Sequence, residues 1–166
     1  MTRELTAYEV LEIAEAMERS AAKFYRKAAG MYQDPRISKL FSDLAQWEKR
    51  HIEVFAEMKQ RLSGQSWEMG QYGQERGNAS KPQPPAAVLA DYASPSQELT
   101  GQETKAEVLR IALGKESDSI AYYKSVRGHV SRVEDAETVR DIIEEEERHV
   151  RILTQSLEQT TSMDVS

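Results

Sequence analysis

The tetrad Glu-x-x-His occurs twice in this chain, as Glu48–His51 and as Glu146–His149, separated by 149 − 51 = 98 positions. On an α-helix, residues three positions apart lie on the same face. Each tetrad would therefore present a carboxylate and an imidazole side by side. Because these two groups together are typical metal ligands, the sequence predicts a ligand pair on each of two helices.

The repeat extends beyond the tetrads. The same offset of 98 relates Glu18 to Glu116 and Tyr25 to Tyr123 without a gap. Each copy therefore contains a Glu, a Tyr seven positions later, and then the tetrad. We interpret the chain as two copies of one helical hairpin.

The spacing of apolar residues indicates an all-α fold. Apolar positions recur at steps of three and four, which is typical of helices with one buried face. The predicted helices lie at about 5–32, 36–62, 102–127 and 132–158. Gly64 is the expected end of the second helix. The predicted fold is a single-domain four-helix bundle of two antiparallel hairpins, spanning 1–166.

A long crossover is predicted to join the two hairpins. Residues 64–101 are rich in Gly, Pro, Gln and Ser, and the prolines break any long helix. We expect this segment to cross the whole bundle, with one short helix at 86–93. The side chains expected to attach it to the bundle are Trp67, Met69, Tyr72 and Leu89.

Composition excludes several classes of function. A formal net charge of −6 argues against nucleic acid or an acidic membrane surface as partner. The absence of cysteine excludes disulfides and thiolate metal sites, so electrons for redox chemistry would need an external donor. Since no unbroken apolar run suggests a signal peptide or a membrane span, we expect a cytoplasmic location.

Six polar residues fall on the stripe that should face the core: Glu18, Glu48, His51, Glu116, Glu146 and His149. Four buried carboxylates would repel one another, and each would lose several kcal/mol of solvation. Two divalent cations would neutralise them, with one imidazole for each ion. Ligands of this type suit iron or manganese, and zinc remains an alternative.

Other polar and aromatic residues near the stripe receive simpler interpretations. The acids Glu144, Glu145 and Glu147 lie off the stripe, so we expect them to be solvated surface residues. Trp47, which precedes Glu48, is expected to pack in the core or at an interface. The third histidine, His129, is expected at a helix end or on the surface.

With these motifs in register, the chain resembles the ferritin-like di-iron carboxylate superfamily, in which two helices each supply a Glu and two others each supply Glu-x-x-His. The helix lengths, the crossover and the Glu-to-Tyr spacing most resemble rubrerythrin, over residues 5–158. The resemblance implies a ferritin-like bundle and a non-haem di-iron centre. It also implies an antiparallel homodimer.

The resemblance also implies individual roles for the motif residues. Glu48 and Glu146 would bridge the two metals, Glu18 and Glu116 would be terminal ligands, and each histidine would bind one metal. Tyr25 and Tyr123 resemble the family's tyrosines that hydrogen-bond ligand carboxylates.

Two departures from the rubrerythrin pattern bear on activity. The extra Glu that rubrerythrins carry on the third helix is missing, since the flanking positions hold Leu113 and Ser119. That carboxylate supports a redox-linked movement of iron between a Glu and a His. We also expect the usual C-terminal rubredoxin domain to be absent, which would argue against self-contained peroxidase turnover.

Three functions are compatible with this pattern. The first is an oxidoreductase in which two iron ions react with hydrogen peroxide or dioxygen, as a peroxidase or a ferroxidase. The second is a non-catalytic protein that binds or stores iron. The third is a dimanganese catalase-like enzyme. The sequence does not identify the native metal, the oxidant or the electron donor.

Overall fold

The computed structural model describes residues 5–70 and 98–164, and all its regular elements in these ranges are α-helices. Helix α1 spans Ala7–Ala29, α2 spans Pro35–Gly70, α3 spans Lys105–Arg127 and α4 spans Val133–Asp164. The short connections at 30–34 and 128–132 make each helix pair antiparallel. Within this bundle α1 packs along α2, α3 packs along α4, and α1 contacts α3. The predicted fold class is confirmed.

The first helix of each hairpin begins with the same capping box. Thr6 accepts a hydrogen bond from the backbone of Glu9, whose side chain bonds back to the backbone of Thr6. Thr104 and Glu107 repeat this arrangement at the offset of 98. These caps satisfy backbone N–H groups at the helix start, which explains why α3 begins at Lys105 rather than near residue 102.

Helix α2 is longer than predicted. It continues to Gly70, past the expected end at residue 62. Gly64 lies within the helix, and only Gly101 among the described glycines has a positive φ. Because the helix continues through Gly64 without a left-handed residue there, the prediction of a helix end at this position was wrong.

Helix α4 also extends beyond its predicted end at residue 158. No Gly or Pro interrupts the chain there, and the hydroxyl groups bond within the helix. The hydroxyl of Thr160 donates to the carbonyl of Ser156 at 2.8 Å, and that of Ser162 donates to Glu158 at 2.7 Å. These bonds pair the hydroxyl groups within the helix, so they do not compete with its backbone hydrogen bonds from another conformation.

Part of the predicted crossover lies outside the described residues. This applies to the proposed short helix at 86–93, to Tyr72 and Leu89, and to the side chains of Trp67 and Met69. Where the chain is described again, Lys27 donates a hydrogen bond to the carbonyl of Leu99.

The interior consists of two apolar clusters separated by a polar layer. The first cluster contains Ala21, Phe24, Tyr25, Ala28, Ile37, Phe41, Leu44, Ala45, Leu99, Val108, Leu109, Ala112 and Leu153. The second contains Val10, Leu11, Ala14, Phe55, Met58, Tyr123, Val126, Val139, Ile142 and Ile143. On every helix the candidate ligands fall between the two clusters, so apolar side chains close the polar layer at both ends.

A membrane crossing requires a long and strongly apolar helix. Within 5–70 and 98–164, no helix combines the necessary length and hydropathy.

Candidate metal centre

The structure brings all six candidate ligands together in the middle of the bundle. Their exposed fractions are 2% or less. They form two groups whose potential ligand atoms lie within 4.8 Å of one another. The first group is Glu18, Glu48, His51 and Glu146, and the second is Glu48, Glu116, Glu146 and His149. Since Glu48 and Glu146 belong to both groups, the geometry suits two cations that share two carboxylates.

Each histidine points its Nδ1 atom at the shared carboxylates. Nδ1 of His51 lies 2.9 Å from Oε1 of Glu146 and 3.4 Å from Oε2 of Glu48. Nδ1 of His149 lies 2.9 Å from Oε2 of Glu146 and 3.3 Å from Oε1 of Glu48. The terminal carboxylates complete the groups, with Glu18 3.4 Å from His51 and Glu116 3.5 Å from His149.

Three buried atoms at this centre make no hydrogen bond of regular geometry among the described residues, although Nδ1 of His51 and Oε1 of Glu146 lie 2.9 Å apart. They are Oε1 of Glu48, Nδ1 of His51 and Oε1 of Glu146. Buried polar atoms are normally paired, and leaving one unpaired costs about 1–3 kcal/mol. All three atoms belong to the groups described above. The donors present therefore fit a pair of metal ions, which would satisfy these atoms.

The four carboxyl groups form two pairs that differ in the direction of their pKa shift. Burial and the charge of Glu48 raise the pKa of Glu18 well above its ordinary value. Burial and the neighbouring Glu146 raise the pKa of Glu116 in the same way. Burial also opposes ionisation of Glu48 and Glu146, but hydrogen bonds from the terminal carboxyls and the histidines outweigh it and lower their pKa. The environment therefore favours the protonated form of the terminal carboxyls and the ionised form of the shared ones.

The surrounding carboxyl groups raise the pKa of both imidazoles. Burial lowers the pKa of His51, but hydrogen bonds to Glu145 and Glu146 raise it far more. For His149, hydrogen bonds to Glu116 and Glu146 outweigh burial and raise the pKa to about 11. The site therefore favours positive charge beside the shared carboxylates, and divalent cations would supply it.

Comparison with known proteins agrees with this geometry. The rubrerythrin family model matches residues 1–70, which hold the first hairpin and its three ligands. A crystal structure from Thermotoga maritima, of a protein proposed to be ferritin-like and diiron-carboxylate, superposes with a TM-score of 0.70 at 25% identity and covers 96% of this chain and 99% of that one. This chain has the ferritin-like fold. The resemblance predicted from the sequence is confirmed.

A second structural comparison supports the fold alone. It is the crystal structure of an uncharacterized conserved protein from Magnetospirillum magnetotacticum MS-1, with a TM-score of 0.62 and 21% identity, covering 93% of this chain and 95% of that one. No curated protein matches the chain.

The two tyrosines connect the halves of the ferritin-like bundle. The hydroxyl of Tyr25 donates to Glu116, and the hydroxyl of Tyr123 donates to Glu18. Each tyrosine therefore bonds to the terminal carboxylate of the other hairpin. Burial first, and then these carboxylates, raise the pKa of both phenols well above 10, so both stay protonated and remain donors.

Glu145 is half-exposed, in partial agreement with the surface position expected from the sequence, but it also contacts a candidate ligand. Its Oε2 atom lies 2.9 Å from Nε2 of His51, on the ring edge opposite the candidate metal positions. A carboxylate can only accept, so Nε2 of His51 donates. Helical periodicity correctly places Glu145 on the face of α4 next to the buried one, but its long side chain still reaches His51.

Trp47 is partly buried against the first apolar cluster and contacts a candidate ligand. Its ring stacks on that of His149, with centroids 5.0 Å apart and planes at 13°. Core packing was expected, but this contact was not. The remaining histidine, His129, is exposed and lies 2.9 Å from the carbonyl of Ser125 after α3, as expected for a residue at a helix end.

The third helix contributes a single carboxylate to the centre. Glu116 is the only residue of α3 in either group within the described part of the chain. Leu113, one turn before it, packs against the first apolar cluster. The departure from the rubrerythrin pattern noted in the sequence is therefore also present in the folded site.

Proposed function

We propose that this chain binds two iron ions and acts as an oxidoreductase of the rubrerythrin type, with hydrogen peroxide or dioxygen as oxidant. The observation that carries the proposal is the pair of donor groups sharing Glu48 and Glu146. Two iron ions held side by side supply two electrons to one oxidant molecule.

The chain's own residues would prepare this site in three ways. The shared carboxylates hold the two positions close together, and the histidines supply one nitrogen donor to each. The tyrosines fix the terminal carboxylates through hydrogen bonds. The two apolar clusters exclude bulk water along the bundle axis, which strengthens every charge interaction inside.

The donor chemistry and the structural comparisons support the proposal of iron. Four carboxylates with two imidazoles suit iron or manganese better than a soft metal. The chain has no cysteine, so we propose that reducing electrons come from an external donor. We further propose a cytoplasmic homodimer, for which light scattering of the purified protein is the direct test.

Metal analysis and a redox titration test the function. Protein purified without added metal is expected to contain two iron ions per chain. After anaerobic reduction, peroxide and dioxygen are added in separate titrations while the absorption spectrum is followed. We expect one peroxide molecule to be consumed for every two ferrous ions oxidised.

The controls separate this function from its alternatives. Glu147→Gln alters an exposed acid on the same helix and should leave iron content and oxidation unchanged. Failure to retain iron would sink the proposal. Oxygen evolution from peroxide without reductant, with manganese in the protein, would indicate a catalase-like enzyme instead. A large assembly retaining many irons per chain would indicate storage.

A further inference from the structure

The two copies of the repeat hold different residue types at the position immediately before each tetrad. The ligands and the tyrosines repeat at an offset of 98, but Trp47 precedes the first tetrad and Glu145 precedes the second, although 145 − 47 is also 98. Two related positions thus hold an indole and a carboxylate. Both side chains contact a candidate histidine ligand, and each contacts the histidine of the other hairpin.

The contact at His51 fixes how its ring is presented. Nε2 donates to Glu145 at 2.9 Å, while Nδ1 faces the shared carboxylates. The hydrogen on Nε2 leaves Nδ1 as the nitrogen available to a cation. A carboxylate on the far ring nitrogen also makes the imidazole a stronger donor to the metal, and loss of such a partner typically weakens metal binding by about 10–100-fold.

The contact at His149 is of a different kind. The indole of Trp47 holds the ring by stacking, but it offers no acceptor to Nε2. Within the described ranges, no side chain accepts a hydrogen bond from this atom. The ring is therefore oriented, but it gains no added donor strength from an anionic partner.

We infer that the two metal positions are inequivalent: the His51 position, supported by Glu145, binds a divalent cation first and more tightly than the His149 position beside Trp47. Glu145 is a positioning residue, since it acts through His51. The inference rests on the proposed metal centre but not on its redox activity. An inequivalent pair allows one position to keep its ion while the other exchanges.

Zinc is a suitable probe because it is diamagnetic and needs no redox chemistry. Metal-free protein with ¹⁵N-labelled histidine is titrated with Zn²⁺ and followed by NMR and calorimetry. The ring signals of His51 should shift during the first equivalent and those of His149 during the second, while His129 serves as an unaffected reference. The two dissociation constants should differ by about 10-fold or more.

Variants at positions 47 and 145 test whether Glu145 causes the difference in metal affinity. Glu145→Ala should weaken the tighter position by about 10–100-fold and shift the Nε2–H signal of His51, and Glu145→Gln should restore part of the affinity. Glu144→Gln, an exposed change one residue away, should alter neither constant. Trp47→Glu should strengthen the His149 position and bring the constants together.

The possible failures are distinguishable. Should Trp47→Glu not fold, the pair Glu145→Ala and Glu145→Gln still decides, because neither changes a packed aromatic ring. Equal constants in the unaltered protein, prior filling at His149, or equal weakening of both positions by Glu145→Ala would overturn the inequivalence alone. Absence of any stoichiometric metal binding would overturn the metal centre as well.

Discussion

At the scale of single residues, the centre depends on bonds that cross from one hairpin to the other. Tyr25 bonds to Glu116 and Tyr123 bonds to Glu18, so neither half positions its own terminal carboxylate. The second copy of the repeat therefore does more than add ligands. Each hairpin supplies hydrogen bonds that the other hairpin needs.

Tyr25→Phe tests this dependence. The change keeps the ring that packs against Phe41 but removes the donor to Glu116. We expect metal affinity at the Glu116 position to fall by about 10-fold, and metal-free stability to fall by about 1–3 kcal/mol. Competitive metal titration and urea unfolding measure the two effects.

The matched control for this change is Tyr32→Phe. The hydroxyl of Tyr32 donates to the carbonyl of Glu103 at 2.6 Å, away from the centre. Its loss should affect stability and leave metal affinity unchanged. Unchanged affinity in Tyr25→Phe would show that the phenol does not support the ligand.

A charged group outside the centre gives a prediction on pH dependence. Glu15 is 7% exposed; burial raises its pKa, but Lys59 and Arg19 lower it to a value below 4.5. Because the folded pKa is lowered, its stabilising effect is present above pH 4.5 and is lost as the pH falls through the folded pKa. Glu15→Gln should cost about 2 kcal/mol at pH 7.

Urea unfolding of this variant and of the unaltered protein at several pH values measures the effect. The two curves should converge as the pH falls below 4.5. Glu53→Gln, at an exposed position on α2, should leave stability unchanged at every pH. A constant difference between Glu15→Gln and the unaltered protein would exclude an electrostatic cause.

The residues also show the limit of inference from sequence. The stripe and the repeat identified all six residues that the structure brings together. They did not identify Glu145, because periodicity gives the face of a helix and not the reach of a long side chain. Comparing the two copies of the repeat could have identified it. Position 47 holds Trp and the equivalent position 145 holds Glu, so the copies differ there.

At the scale of helices, the sequence predicted existence and pairing correctly, but not all the ends. The capping boxes at Thr6 and Thr104 share the repeat offset, so the start of α3 could have been read from the start of α1. The end of α2 could not be predicted in this way. Gly30 and Gly128 end their helices and Gly64 does not, although none of the three has a positive φ, so the presence of a glycine alone does not locate a helix end.

Glycine substitutions test this distinction between conformations. Gly114 lies within α3, and a Cβ atom there would meet nothing within 4 Å. Gly114→Ala should therefore stabilise the protein by about 0.5–1 kcal/mol, because it lowers the entropy lost on folding. Gly101 has a φ of 92°, so Gly101→Ala should destabilise by about 1–3 kcal/mol. Urea unfolding measures the change in stability of both variants. Changes of the same sign would contradict the prediction.

At the scale of the whole molecule, the buried polar layer is a cost to the fold. The environment disfavours the charged form of the terminal carboxyls, and three buried atoms make no hydrogen bond of regular geometry among the described residues. Metal ions would bind the folded chain and not the unfolded one, since the ligands come from all four helices. Binding should therefore stabilise the fold.

Two ligand variants test how much metal binding stabilises the fold and which carboxylates are responsible. Each independent site adds about 2.7 kcal/mol at a free metal concentration of 100 times the dissociation constant. Glu146 belongs to both donor groups and Glu18 to one. Glu146→Ala should therefore abolish the gain, whereas Glu18→Ala should keep only the smaller contribution of the His149 position. Urea unfolding with and without Zn²⁺, together with metal counts, measures this; one ion retained by Glu146→Ala would mean that its carboxylate does not bridge the two positions.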